Sequence, residues 1–283
     1  MSATYDVVVI GSGANGLIAG AYMARAGQKV LVLERNAWFG GGVSTREVVA
    51  PGFRHDLHSA THIIIQANPL IRNDELGLIS KFGLKYNAGS EPGRVSLANF
   101  APSTLEGYRR VFDDFKYGDI SRDQIIAAHV NSSHDPSRAP AGKAALTLFG
   151  FAPFELRGGG AALWDDRKAE VGEMLYRAYG HYVANLDSSN VIGWKFETPL
   201  DIHRYSPSFQ SGDVGGVGKY FYQIGGHRPT PELSQYAVPG ADGLYLAGTF
   251  MHPPGGVTGG GRATAIKMCR DLKIDFDKLV TRQ

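Results

Sequence analysis

The sequence predicts an α/β protein with a Rossmann-like nucleotide-binding frame built from two segments, one near each end of the chain, and a reduced α+β region between them. Three observations lead there. Residues 7–34 read as strand, glycine turn, helix, strand and terminal acid. Residues 239–272 read as a short strand, a glycine switch and a helix. The stretch between them mixes short strand-like runs with helical periodicities and carries no fixed repeat.

The first segment opens with Val7-Val8-Val9-Ile10, an apolar run that reads as a buried parallel strand. It leads into Gly11-Ser12-Gly13-Ala14-Asn15-Gly16 and an alanine-rich helix over 17–26. Gly11 permits the tight turn off the strand, Gly13 leaves backbone open to a pyrophosphate, and Gly16 lets the helix lie close to the sheet. The amides of Ala14 and Asn15 begin the helix, whose dipole favours phosphate. After Gly27 a second strand, residues 30–33, ends at Glu34, an acid placed to accept hydrogen bonds from the hydroxyls of an adenosine ribose. A 2′-phosphate there would be repelled, which disfavours NADP.

Composition excludes several classes. The 283 residues suffice for one large or two smaller domains, and 43% hydrophobic with 20% charged residues is ordinary for a globular chain. A net charge of +2, with no basic stripe or acidic tail, argues against nucleic acid. Cys269 is the single cysteine, so an internal disulfide and a Cys-x-x-Cys redox pair are both excluded. The first strand begins too close to the N-terminus to leave room for a targeting peptide, and no apolar run reaches membrane-spanning length, so a cytoplasmic location is expected. The 37 glycines cluster at 40–42, 158–160, 215–218 and 255–261, where backbone must approach something closely or adopt positive φ.

After Glu34 and Arg35 comes Phe39-Gly40-Gly41-Gly42. A glycine triplet this soon after the ribose-binding acid implies a second close approach to the same ligand, which FAD requires and a simple NAD site does not. With these three motifs the chain resembles the phytoene-desaturase-like branch of the flavin amine oxidase superfamily. Through Pro51-Gly52-Phe53-Arg54-His55-Asp56-Leu57-His58-Ser59 it is most similar, within that branch, to the proteins called pyridine nucleotide-disulfide oxidoreductase domain-containing protein 2. The resemblance covers the chain before about residue 87 and from about Asp119 onward. Family members are nearly twice as long, so the resemblance implies an internal deletion that removed most of the substrate domain. It further implies a discontinuous FAD-binding domain over 1–86 and 225–283, with a shortened cap over 87–224.

His55, His58 and His62 have no acidic or cysteine partner at ligand spacing, and they are expected to line or pack near the flavin cavity rather than hold a metal. A short helix is expected over 74–82 and an irregular connection over 87–102. Ser103 and Glu106 have capping-box spacing for a helix over 104–116, whose stripe of Leu105, Tyr108, Phe112 and Phe115 reads as core. Residues 121–124 read as a helix cap, 144–149 as a strand extended by 151–156, 164–183 as an amphipathic helix, and 191–197 as another strand. Residues 212–218 resemble the family's substrate-side loop, with an exposed turn as the plainer alternative.

In the last segment residues 244–247 read as a buried strand; by resemblance it is the final Rossmann strand, with Gly248 and Thr249 meeting the ribityl and pyrophosphate portion of FAD. Gly256, Val257 and Thr258 precede a helix over 263–272, and amides near 257–260 would face the flavin edge. Cys269 is expected in the core of that helix. The expected function is an FAD-dependent oxidoreductase of dehydrogenase, desaturase or oxidase type, taking hydride from a largely apolar organic substrate. His252 and His58 are the candidates for positioning groups. Two alternatives stand beside it: a residual, non-catalytic flavin-binding module, and a plain NAD-binding dehydrogenase. Apolar surface left by a shortened cap would be covered by a homodimer or a membrane surface.

Overall fold

The computed structural model describes residues 3–60, 62, 68–77, 97–183, 185–253 and 259–281. In chain order the main elements are β1 (Val7–Ile10), α1 (Ala14–Arg25), β2 (Val30–Leu33), β3 (Thr45–Glu47), β4 (Arg54–Asp56), α2 (Pro69–Arg72) and β5 (Leu97–Phe100). There follow α3 (Leu105–Tyr117), β6 (Ile126–His129), β7 (Thr147–Gly150), α4 (Leu163–Gly180), α5 (Pro199–Tyr205), α6 (Gly259–Asp271) and α7 (Phe276–Val280). They divide into two units. Met1–Ser44, His62–Ala88 and Val214–Gln283 form one, and Thr45–Thr61 with Gly89–Asp213 form the other.

In the first unit β1 and β2 pair in parallel, with Val7 opposite Val30 and Ile10 opposite Leu33. Glycine sets how closely α1 covers them: a Cβ on Gly16 would stand 3.1 Å from Val9 Cγ1, and one on Gly20 3.3 Å from Val9 Cγ2. The core of Tyr22, Met23, Leu70, Ala265, Met268 and Cys269 joins α1, α2 and α6. Cys269 is therefore core, and burial pushes its thiol pKa up.

The expectation of a fully buried β1 is corrected. Val8 is 51% and Ile10 86% exposed, because among the described residues β1 pairs with β2 alone in a two-stranded sheet and α1 covers one of its faces. Residues 244–247 do not extend that sheet. Tyr245 instead bridges Ala237 in antiparallel fashion, and Leu246 N donates to Tyr236 O at 2.9 Å.

One buried charge network ties this unit together. Glu75, just past α2, accepts from Arg262 Nε and Nη2 at 2.8 Å each and from the Tyr22 hydroxyl at 2.6 Å, while Arg25 donates to its carbonyl. Burial alone would raise the Glu75 carboxyl, but the hydrogen bonds from Arg262 and Tyr22 outweigh it and hold the group below its ordinary value. Burial, then the bond to Glu75, pushes the Tyr22 phenol up. The Arg262 guanidinium also lies 5.2 Å from the centre of the Phe276 ring, which brings α7 onto α6.

In the second unit β5, β6 and β7 form an antiparallel sheet with β6 in the middle. Residues 121–124 lead into β6 rather than into a helix, and Asp123 pairs with Arg110 at 2.9 Å. The fully buried Trp164 at the start of α4 donates to the carbonyls of Pro153 and Phe154, both at 3.1 Å, so this part of 151–156 serves a side chain and not a strand ladder. Residues 191–197 also form no strand. They lie along α4 by side-chain packing: Trp194 stacks on Tyr176 at 5.8 Å, and a Cβ on Gly172 would come within 2.9 Å of Trp194.

The α3 helix begins with Thr104, whose hydroxyl accepts from Gly107 N at 3.1 Å, one residue later than the capping box suggests. Its apolar stripe is not core. Gly107 and Val111 are its buried residues, whereas Leu105, Tyr108, Phe112 and Phe115 are exposed. The expected 74–82 helix is a turn over 74–77, and its remainder lies outside the described residues, as does the 87–96 part of the expected 87–102 connection. The irregular reading of that connection is corrected at 97–100, which form β5 because they pair antiparallel with β6, Leu97 opposite His129 and Phe100 opposite Ile126.

Replacing Arg262 with leucine leaves Glu75 buried without its charge partner and is expected to cost about 3–5 kcal/mol in denaturant unfolding. Because the folded Glu75 pKa is depressed, its contribution is complete above the ordinary value of 4.5 and is lost as pH falls below it. The stability gap between wild type and Arg262→Leu should therefore narrow on acidification below about pH 4.5.

Candidate dinucleotide-binding site

The Gly11–Gly16 turn is built as a cradle. Gly11 sits at φ +94°, a conformation that favours glycine, and a Cβ on Gly11 or Gly13 would meet nothing within 4 Å. The space above the loop is open. Gly13 precedes α1 with extended backbone, no side chain caps the helix, and its first turn holds no acid, which leaves the positive end of the dipole to an outside anion.

The second glycine run packs directly against this loop. Gly40 N donates to Ser12 O at 2.9 Å, Gly13 and Gly40 form a parallel bridge, and a Cβ on Gly41 would stand 3.1 Å from Gly13 Cα. Gly42 continues the same turn. The triplet thus lets two stretches of backbone meet where the first strand ends.

Glu34 is held from both sides. Its Oε2 accepts from Ser12 N at 2.8 Å and Ser12 Oγ at 2.7 Å, and its Oε1 accepts from Asn36 N at 2.9 Å and Asn36 Nδ2 at 3.0 Å. The Asn36 amide, followed by the Ser12 amide and hydroxyl, lowers the carboxyl to about 2. Ser12 and Asn36 are absent from the sequence-derived set. The signal was available, since pairing Ile10 with Leu33 brings residues 12 and 34 side by side just beyond the strand ends. Arg35 is exposed beside them.

The start of α6 arrives at the same place from 246 positions along the chain. Gly261 N donates to Asn15 Oδ1 at 2.9 Å in a buried bond. A Cβ on Gly261 would lie 2.3 Å from Asn15 O, and one on Gly260 would lie 2.9 Å from Gly248 O. Thr264 Oγ1 donates toward Leu246 O at 2.7 Å, holding the 244–249 segment to α6. The helix starts at Gly259, earlier than the sequence suggests, and its first turn again holds no acid. Gly256, Val257 and Thr258 lie outside the described residues.

Arg228 is a further organising residue that periodicity did not reveal. It is fully buried and donates to the carbonyls of Met251, Gly218, Gln223, Gly215 and Thr249 at 2.7–3.3 Å. It draws the glycine-rich loop over 215–223 onto residues 249–251. A sequence does not advertise such a role, because every one of these partners is backbone.

The two histidine candidates part company. His252 is a loop brace: its Nδ1 accepts from Gly225 N at 3.1 Å, and its carbonyl accepts from the Tyr236 hydroxyl at 2.9 Å. His58 belongs to the second unit, where its side chain is 2% exposed, with Nε2 3.4 Å from Glu197 Oε2. That is a close approach rather than an aligned hydrogen bond. The rings of Tyr205 and Phe209 pack against it at 4.5 and 5.2 Å. The His58 contact, against the cost of burial and with Lys195 Nζ 2.8 Å from the other oxygen, lowers Glu197 to about 2. His55 lies on β4, and burial lowers its pKa. Among the described residues, no group of three His, Cys, Asp or Glu side chains is placed to hold a metal, and no helix is long and apolar enough to cross a membrane.

Comparison with known proteins agrees with the cradle. Residues 9–73 match the family described as NAD(P)-binding Rossmann-like domain. The rat pyridine nucleotide-disulfide oxidoreductase domain-containing protein 2 is 34% identical over 167 residues, covering 58% of this chain and 28% of the relative. A limonene dehydrogenase subunit of Castellaniella defragrans is 28% identical over 251 residues, covering 83% of this chain and 38% of the relative. Thiamine thiazole synthase of Methanococcus aeolicus is 62% identical over 37 residues, 13% of this chain. The chain spans well under half the length of the first two relatives. The resemblance drawn from the motifs is thus borne out by homologues of that name, and the chain carries a Rossmann-like dinucleotide-binding segment.

Gly261→Ala forces a Cβ into the Asn15 carbonyl and is expected to destabilise the fold by about 1–3 kcal/mol, read as a lowered thermal midpoint. At Glu34 the depressed pKa means that its contribution to stability is complete above the ordinary value of 4.5 and is lost as pH falls toward about 2. Glu34→Gln should therefore remove a pH-dependent part of stability confined to that acid window, as measured by denaturation at a series of pH values.

Proposed function

We propose that this chain binds FAD and acts as an FAD-dependent oxidoreductase on a largely apolar organic substrate. The observation that carries the reading is the meeting of two glycine-rich segments at the start of α1. A single G-x-G-x-x-G unit with its acid suffices for a nicotinamide cofactor. This chain adds the 40–42 turn, Gly248 and the start of α6 to the same cradle, as an extended flavin dinucleotide requires. The Rossmann-like match and the names of the oxidoreductase and dehydrogenase relatives support the same class.

In this reading the amides at the start of α1 bind the pyrophosphate, the open space over Gly11 and Gly13 admits it, and Glu34 holds the adenosine ribose. Gly41, Gly42, Gly248 and Thr249 let backbone approach the remainder of the cofactor. The start of α6, whose first turn holds no acid, has its dipole oriented to favour a reduced ring. Bound FAD supplies the chemistry by accepting a hydride, and the chain orients it. His252 has one ring nitrogen engaged by backbone and His58 is enclosed by aromatic rings, so neither is assigned a proton-transfer role. The phytoene-desaturase-like branch remains the family reading that best accounts for the motif order.

A second reading, a flavin-binding module without catalysis, is favoured by one observation: the outer face of the β1–β2 pair leaves Val8, Ile10 and Leu33 exposed. The visible spectrum of the purified protein separates these readings. Bound FAD that bleaches with dithionite and recovers in air is expected. A folded protein that is colourless and cannot be reconstituted with FAD contradicts both readings, whereas FAD that binds but is reduced by no apolar donor supports the module. Glu34→Ala is expected to weaken FAD binding by about 10–100-fold in a fluorescence titration, since it removes charge-assisted hydrogen bonds to the ribose.

A further inference from the structure

A continuous apolar surface of the second unit lies on α3 and the end of β7. Leu105 is 86%, Tyr108 39%, Phe112 54% and Phe115 44% exposed. Their spacing of three and four residues places them along one face of the helix. Phe151 extends that face, with its ring 6.4 Å from Phe112, and Phe149 extends it further at 6.3 Å from Phe151. Both are about half exposed. A soluble chain seldom leaves a stripe of this kind uncovered.

The charges beside the stripe indicate what covers it. Arg109 and Asp113 are four residues apart and share one flank, with side chains 70% and 56% exposed. Within one copy Arg109 Nη2 donates to Glu106 Oε1 at 3.2 Å, whereas its contact with Asp113 is weak: Nε and Oδ2 are 3.9 Å apart, and a base preceding an acid is the poorer helical order. In an antiparallel pair of such helices, like flanks face each other. A two-fold axis level with Val111 then sets Arg109 of each copy beside Asp113 of the other, so the surface is complementary to itself. Six large apolar side chains, each of roughly 150–250 Å² and about half exposed, place on the order of 1,200 Å² across the pair, above the ~1,000 Å² expected of a specific interface.

We propose that the chain forms a two-fold dimer through this face, α3 packing antiparallel on α3 of a second copy, with Arg109 and Asp113 exchanging partners across the axis. The apolar stripe supplies the attraction, and the charge pair fixes the direction.

Sedimentation equilibrium of the full chain tests it. Wild type is expected to be dimeric. Leu105→Glu and Phe112→Glu are each expected to weaken the dimer by about tenfold or more with unchanged far-UV circular dichroism. Leu105 is exposed enough that its replacement spares the fold. Arg109→Asp alone should weaken the dimer, and the swap R109D/D113R should restore it. A wild type that stays monomeric over the accessible concentration range overturns the proposal, including the case in which that monomer sediments with phosphatidylserine vesicles. A dimer indifferent to both glutamate variants, or one that the charge swap fails to rescue, overturns it as well.

Discussion

The first unit depends on how closely two backbones can approach. The start of α6 rests on the first turn of α1 because residues 260 and 261 have no side chain to hold them apart, and the Asn15 amide oxygen takes up a buried N–H that would otherwise lack an acceptor. From that contact the rest follows. The two helix starts lie together, the 244–249 segment is held by Thr264, and a cradle forms from residues that are nearly a chain length apart. Hydrophobic burial among Tyr22, Met23, Met268 and Cys269 supplies attraction between the helices, but it is indifferent to register. The glycine contact and the directional bond set the register.

Electrostatics then works differently at the two ends of α1. At the N-terminal end the protein leaves positive potential unsatisfied and places one ionised carboxylate, Glu34, at the edge of the open space. At the C-terminal end, polar groups are paired off inside the protein: Tyr22, Glu75 and Arg262 satisfy one another, and Arg25 reaches the Glu75 carbonyl. A site that must accept charged phosphates needs the first arrangement. A helix junction that must stay shut needs the second.

Much of the cradle was legible in the sequence because each of its requirements maps onto one residue type. Glycine at 11, 13, 16 and 40–41 and an acid at the end of β2 are local choices, and the structure places them together. What was not legible depends on tertiary partners. The strand over 126–129 was hidden in a four-residue segment, Ile-Ala-Ala-His, whose pairing with β5 and β7 comes from distant chain. The 191–197 stretch has the alternation of a strand but spends its side chains on Gly172 and Tyr176. The α3 stripe has the periodicity of a core helix, and periodicity alone does not say whether the covering surface belongs to the same chain. Arg228 is the clearest case, because a buried cation bonded to backbone carbonyls leaves no pattern to find.

The central claim is that the two ends of the chain build one dinucleotide cradle. Hydrogen–deuterium exchange with and without FAD tests it most directly, because amide protection reports where backbone becomes engaged. Residues 11–16, 40–42 and 259–264 are expected to gain protection together at the same FAD concentration. Protection confined to the N-terminal segment, with the start of α6 unchanged, would contradict it and leave a one-segment nucleotide site in its place.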